Sequence, residues 1–185
     1  MTIRDLFTHR VFTVANLLTF SRIILLFPLW YFIMNEEKSS YYQNISMGIA
    51  ITMIATDFFD GYLARKLGQE SALGQYLDPV ADKVTILAGI YMLYLKKDYP
   101  LWLFLFIVFR EVYGSFFGAF LLLKRNTLGK PSLWGKAGVF FISISALWYL
   151  GEWPYQWIAD IPVVVTLTGG LISYSMRYSK TIFNY

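Results

Sequence analysis

Six long runs of apolar residues, each parted from the next by a short polar break, organise the chain. The runs are Phe12–Met34, Ile45–Leu63, Leu77–Leu95, Leu101–Leu123, Leu133–Leu150 and Ile158–Met176. The breaks are Asn35–Ser40, Arg65–Ser71, Lys96–Pro100, Lys124–Pro131 and Gly151–Asp160. A helix needs about 20 mostly apolar residues to cross a bilayer, so the pattern predicts six transmembrane helices. The second and third runs are the least clean, because carboxylates interrupt their facing ends. Upstream, Ile3, Leu6, Phe7 and Val11 recur at helical spacing among Arg4, Asp5 and Arg10. That pattern predicts a short amphipathic helix lying in the membrane interface. The first apolar run follows basic residues, as a secretory leader does, but it is longer than a leader's apolar stretch and lacks a small-residue cleavage site, so it reads as a span. The expected fold is an all-α integral membrane bundle: six transmembrane helices plus the short N-terminal interfacial helix, built as one domain over residues 1–185.

Composition narrows the class. The 185 residues are 57% hydrophobic and 15% charged, whereas a soluble domain carries about 25% charged residues. A soluble globule, a disordered segment and a nucleic-acid-binding tail are all excluded on this ground. The absence of cysteine excludes a disulfide scaffold, a thiolate zinc site and an iron–sulfur cluster, and leaves any metal to oxygen ligands or the lone His9. The formal net charge of +4 reads as loop topology rather than DNA affinity. Arg4, Arg10, Arg65, Lys66, Lys124, Arg125, Lys130, Arg177 and Lys180 fall on one side of a six-span plan. Lys38, Lys96 and Lys97 fall on the other, diluted by Glu36, Glu37, Asp98, Glu152 and Asp160. The positive-inside rule then puts both termini in the cytoplasm.

The stretch Thr56–Lys83 carries the chemistry. Asp57 and Asp60 stand at i and i+3 on the end of one helix, Asp78 and Asp82 at i and i+4 on the start of the next. Each spacing puts its pair on one helix face, and the short connection makes the two helices antiparallel neighbours, so all four carboxylates converge near the cytoplasmic interface. An ionised Asp costs roughly 2.5–3.5 kcal/mol at mid-membrane, and four like charges repel unless a cation or protons neutralise them. Hard divalent cations favour oxygen ligands, and Mg²⁺ takes a few carboxylates together with substrate phosphate oxygens. A pair of metals clamps the attacking and leaving oxygens in phosphoryl chemistry. At about 100° per residue, Gly61 and Ala64 share the face of Asp57 and Asp60. Arg65 lies at the rim of that face, where its guanidinium suits phosphate oxygens, and Gly74 comes one turn before Asp78.

The order Asp57-x-x-Asp60-Gly61-x-x-Ala64-Arg65, eight residues, then Gly74-x-x-x-Asp78-x-x-x-Asp82 resembles the signature of the CDP-alcohol phosphotransferase family at every fixed position. The six-span plan extends the resemblance over essentially the whole chain. The resemblance implies two divalent ions, Mg²⁺ or Mn²⁺, with Asp57 and Asp78 bridging them, Asp60 completing one site, and Asp82 binding the other ion and acting as general base. It further implies that Gly61, Arg65 and Ser71 contact the CDP moiety; for Ser71 a turn or helix-start role stands equally open. The first helix carries Asn16-x-x-Thr19-x-x-Arg22, which resembles the opening of the bacterial phosphatidylglycerophosphate synthase branch and of related cardiolipin synthases. Asn16 and Thr19 then face the cytidine or its ribose, or bond between helices. Arg22 lies deeper and is expected to meet a carboxylate or a phosphate, because an unpaired charge there is costly.

By the same resemblance the donor is CDP-diacylglycerol, at home in a membrane lipid phase, and the acceptor a small phosphorylated alcohol, glycerol 3-phosphate first. Lys130, Lys136 and Arg177 are the candidates for the acceptor phosphate, and Arg110 joins them through its resemblance to an Arg-Glu pair of those enzymes, with a buried ion pair to Glu111 as the other reading. Lys124, Arg125 and Lys180 read as a solvated fringe. Cardiolipin synthesis and phosphatidylinositol phosphate synthesis remain as alternatives within the family. A cation transporter is disfavoured, since its charges belong near the midplane of several helices. The resemblance also implies a homodimer in a bacterial-type inner membrane, with the site facing the cytoplasm and no nucleic acid involved.

Overall fold

The computed structural model describes residues 14–67, 72–125 and 133–183; the interfacial helix expected around residues 3–11 lies outside them. The described residues form six α-helices: α1 Val14–Met34, α2 Ser40–Leu67, α3 Ala72–Lys96, α4 Leu101–Arg125, α5 Leu133–Leu150 and α6 Gln156–Phe183, with a 3-10 turn at Glu36–Lys38. Each apolar run is thus one helix. Three of the helices hold segments long and apolar enough to cross a membrane: Leu17–Met34 in α1, Leu133–Leu150 in α5 and Gln156–Met176 in α6. Helix α2 begins at Ser40, ahead of the apolar run, because Ser39 Oγ accepts the Tyr41 N–H at 3.2 Å and occupies a free donor of the first turn.

The chain forms two compact units, Met1–Met92 and Leu93–Tyr185. In the first, α1 and α2 make an antiparallel hairpin. Phe32 and Tyr31 meet Tyr42 beside the connection, with ring centroids 5.3 and 6.4 Å apart, while Arg22 meets Asp57 farther along both helices. Glu36 in the 3-10 turn accepts the Ser46 hydroxyl at 2.9 Å and ties the connection to α2. Leu29, Ile33 and Met53 are buried here together with Thr19, Arg22 and Ser46, whereas Ile24 and Phe27 are largely exposed. Polar groups inside and large apolar groups outside are what helices facing lipid require. Hydroxyls follow the same logic: Ser21, Thr52 and Thr56 each donate to a carbonyl three or four residues back, which satisfies each of these donors within its own helix.

In the second unit α5 and α6 form a second antiparallel hairpin. Asp160 on α6 accepts Ser145 Oγ at 3.1 Å and Tyr149 OH at 2.8 Å, both from α5. The break assigned to Gly151–Asp160 is therefore shorter than the charge pattern suggests: α6 starts at Gln156, and Asp160 is a buried helical residue whose carboxylate is met by hydroxyls. At the far end of the hairpin the Trp134 ring lies flat against Gly169, so close that an added Cβ would stand 2.6 Å from it. Tyr113 OH and Ser175 Oγ, 3.0 Å apart, join α4 to α6. Lys97 pairs with Glu152 and the Tyr99 and Tyr149 rings lie 4.6 Å apart, which links the two connections on that side of the unit.

Two outcomes follow from this packing. Gly169→Ala forces the Trp134 ring to shift and should lower stability by roughly 1–3 kcal/mol. Gly170→Ala, whose Cβ meets nothing nearer than 3.9 Å, should be neutral or slightly stabilising; thermal unfolding in detergent micelles compares the two. Burial pushes the Tyr99 hydroxyl well above the ordinary tyrosine value, with Ser145 opposing the shift and the Asp160 charge adding to it. Above a pH of about 10 the unfolded chain releases a proton that the folded chain keeps, so stability falls as pH rises. Tyr99→Phe should move the midpoint of alkaline unfolding, followed by circular dichroism, to higher pH.

Candidate active site

Three helices of the first unit supply the site. Helix α2 carries Asp57 and Asp60 one turn apart and runs on past them to Leu67, and α3, which starts at Ala72, carries Asp78 and Asp82 one turn apart, so both pairs lie inside their helices rather than at the ends. The connection between them is short enough to make the two helix ends neighbours in sequence, and Arg22 on α1 reaches to both helices. Its Nη1 donates to Asp57 Oδ1 and, at 2.7 Å, to Asp82 Oδ1. One nitrogen thus brings the two carboxylates within two hydrogen-bond lengths of each other.

Burial is uneven across this triad. Arg22 is 3% exposed, while the Asp57 and Asp82 side chains are 38% and 40% exposed. The cation forms the floor and the carboxylates open away from it. An exposed ion pair is worth about 0–1 kcal/mol, but removing a partner from a buried charge costs about 3–5 kcal/mol, so the floor depends on both carboxylates. The guanidinium suits the position because it stays charged in any surroundings and offers several donors in one plane. Arg22 was expected to meet a carboxylate or a phosphate, and it meets two carboxylates. The sequence signals Arg22 through the Asn16-x-x-Thr19-x-x-Arg22 pattern and through the cost of a charge in an apolar run, but its distance from the aspartates along the chain hides which carboxylates it meets.

The remaining donor-side residues divide plainly. Thr19, one turn before Arg22 on α1, is fully enclosed. Asn16 lies on α1, Asp60, Gly61 and Arg65 on α2, and Gly74 and Asp78 on α3; beyond that helical placement they lie outside the described residues, and Ser71 does so altogether. Among the described residues no group of three acidic or imidazole side chains gathers, and Asp60 and Asp78 stand outside that set. The donor chemistry fits a hard divalent cation: half-open carboxylate oxygens from two helices meet at one point, and each helix carries a further aspartate one turn away.

A family model described as CDP-alcohol phosphatidyltransferase matches residues 12–169, which include every aspartate of the cluster. The chain belongs to the CDP-alcohol phosphatidyltransferase family. It is similar, at 34% identity over 136 residues, to a CDP-diacylglycerol–glycerol-3-phosphate 3-phosphatidyltransferase of Aquifex aeolicus, covering 72% of this chain and 73% of that one. A Bacillus subtilis protein of the same name is 28% identical over 190 residues, covering 92% of this chain and 95% of its own. A cardiolipin synthase (CMP-forming) of Streptomyces coelicolor is 30% identical over 161 residues, 85% of this chain and 74% of that one. Membership makes the chain a transferase of phospholipid biosynthesis, in a family that uses CDP-alcohol substrates, an alcohol acceptor and, in general, divalent metals.

The residues considered for the acceptor of this transferase lie in the second unit. Lys136 is exposed in the first turns of α5. Arg110 is buried on α4 and pairs with its neighbour Glu111, equally buried, so the ion-pair arrangement weighed from the sequence is present. Its Nε faces the Gly170 position of α6, without a hydrogen-bond partner among the described residues. Arg177 lies on α6 and is otherwise outside the described residues, as Lys130 is entirely.

Proposed function

We propose that this protein transfers the phosphatidyl group of CDP-diacylglycerol to the hydroxyl of glycerol 3-phosphate and releases CMP. The observation that carries the reading is the meeting of Asp57 and Asp82 at one point from two helices, within the spacing that marks the family. The Aquifex and Bacillus relatives, both named for glycerol 3-phosphate, support the acceptor. Asp57, Asp60, Asp78 and Asp82 hold two divalent ions, Mg²⁺ or Mn²⁺. Bound there, the ions neutralise pyrophosphate charge and polarise the reacting phosphorus. Asp82 accepts the proton of the acceptor hydroxyl, whose oxygen forms the new bond to the phosphatidyl phosphorus. The bond from that phosphorus to the CMP oxygen breaks, and CMP leaves with the electron pair. Asn16, Thr19, Gly61, Arg65, Ser71 and Gly74 line the nucleotide side, and Lys130, Lys136, Arg177 and Arg110 serve the acceptor phosphate.

The setting is part of the reading. All six helices cross a bacterial-type inner membrane as one domain over residues 1–185, the segment before α1 lies in the interface, and the site and both termini face the cytoplasm. A donor with two acyl chains and a water-soluble nucleotide requires a site at such a boundary. The protein works as a homodimer in contact with membrane lipid. The Streptomyces relative favours phosphatidylglycerol as the second acceptor to test.

Purified protein supplied with CDP-diacylglycerol and Mg²⁺ or Mn²⁺ should release CMP with glycerol 3-phosphate and form a phosphatidyl product of it, identified by lipid mass spectrometry. Product from phosphatidylglycerol alone would move the assignment to cardiolipin synthesis. Asp82→Asn, whose amide oxygen still accepts from Arg22 beside the unchanged Asp57, should cut turnover by at least about 10²-fold, the usual scale of a lost general base, with thermal unfolding in detergent checking that the variant is folded. Chelation of divalent ions should silence the wild type, and turnover persisting in chelator would refute the metal requirement.

A further inference from the structure

The floor of the carboxylate site is a cation that the protein itself supplies. Arg22 is almost wholly enclosed, so its place is set by packing and not by chance contact at a surface. The oxygens it meets belong to Asp57 and Asp82, two of the side chains that the reading above gives to the divalent ions. A divalent ion at those carboxylates and a guanidinium on the same oxygens repel each other and draw on shared lone pairs. The two carboxylates also repel each other where they meet.

We propose that Arg22 is a resident counter-cation: it holds Asp57 and Asp82 together when no divalent ion is bound, and it competes with the ion when one arrives. The inference rests on the metal reading of the site. It gives Arg22 two opposed effects. The metal-free protein gains stability from Arg22, because the carboxylates are neutralised and α1, α2 and α3 share one ionic contact. Metal affinity is lowered by Arg22, because loading requires Asp57 and Asp82 to turn from guanidinium to ion. The site is thereby kept assembled between turnovers, and the ion remains exchangeable. Arg22 is a positioning residue in this account and does not touch the reacting atoms.

The test compares full-length wild type with Arg22→Gln and Arg22→Lys in detergent, with two readouts independent of turnover. Thermal unfolding is followed in chelator and across a Mn²⁺ titration, and Mn²⁺ binding is measured directly by paramagnetic resonance. Arg22→Gln should melt well below wild type in chelator, gain more from Mn²⁺ than wild type does, and bind Mn²⁺ about tenfold more tightly, an ordinary size for coupling between two ligands. An equal loss of stability in chelator and in saturating Mn²⁺, with binding unchanged or weaker, overturns the proposal. Should Arg22→Gln fail to fold under both conditions, Arg22→Lys decides: its ammonium ends one atom short of the Nη1 that meets both carboxylates and holds them less well, so Mn²⁺ binding should tighten, and wild-type affinity overturns the proposal. Wild type that binds no Mn²⁺ overturns the metal reading and this proposal together. Wild type that binds it, with variants that bind it no better, overturns the counter-cation alone.

Discussion

A guanidinium buried among apolar helices has to be met by negative charge, and the way Arg22 meets Asp57 and Asp82 governs the first unit of this protein. The contact joins α1, α2 and α3 through one nitrogen, at the place where Asp57 and Asp82 meet. Removing an acceptor would take negative charge from a buried cation, and removing the cation would raise the repulsion between the two carboxylates.

The second unit settles its own buried charges locally. Lys97 pairs with Glu152, Arg110 with Glu111, and Asp160 receives two hydroxyls from α5. Each partner comes from the same unit, and two of the three contacts join separate elements, so they hold connections and helix pairs in register. Where polar contacts end, shape takes over: the Trp134 ring fills the space that a side chain at Gly169 would occupy, which brings α5 and α6 close along their apolar length. Hydrogen bonds and close packing, rather than the hydrophobic effect, are what associate helices where the surroundings are lipid.

Much of this architecture is legible along the chain. Six apolar runs became six helices because a long apolar run meets its backbone hydrogen bonds within itself as a helix, and its hydroxyls can bond back to their own carbonyls. The aspartate spacings place each pair on one face of its helix, a matter of 3.6 residues per turn. Asp160 was less legible: by position it looked like a loop charge, and only the hydroxyls of Ser145 and Tyr149 on the facing helix make a helical, buried site acceptable for it. Arg110 and Glu111 showed their pairing in adjacency alone. Gly169 gave no sign that it, and not Gly170, bears the Trp134 ring.

Local order thus decided what lies close along one chain segment: the helices, the face of each aspartate pair, and the family to which that spacing belongs. Tertiary structure decided what meets across segments. That Arg22 reaches Asp57 and Asp82 together, 35 and 60 residues away, follows from how three helices pack. A sequence states the cost of a buried charge at one position, but the partner that meets that cost is chosen in space.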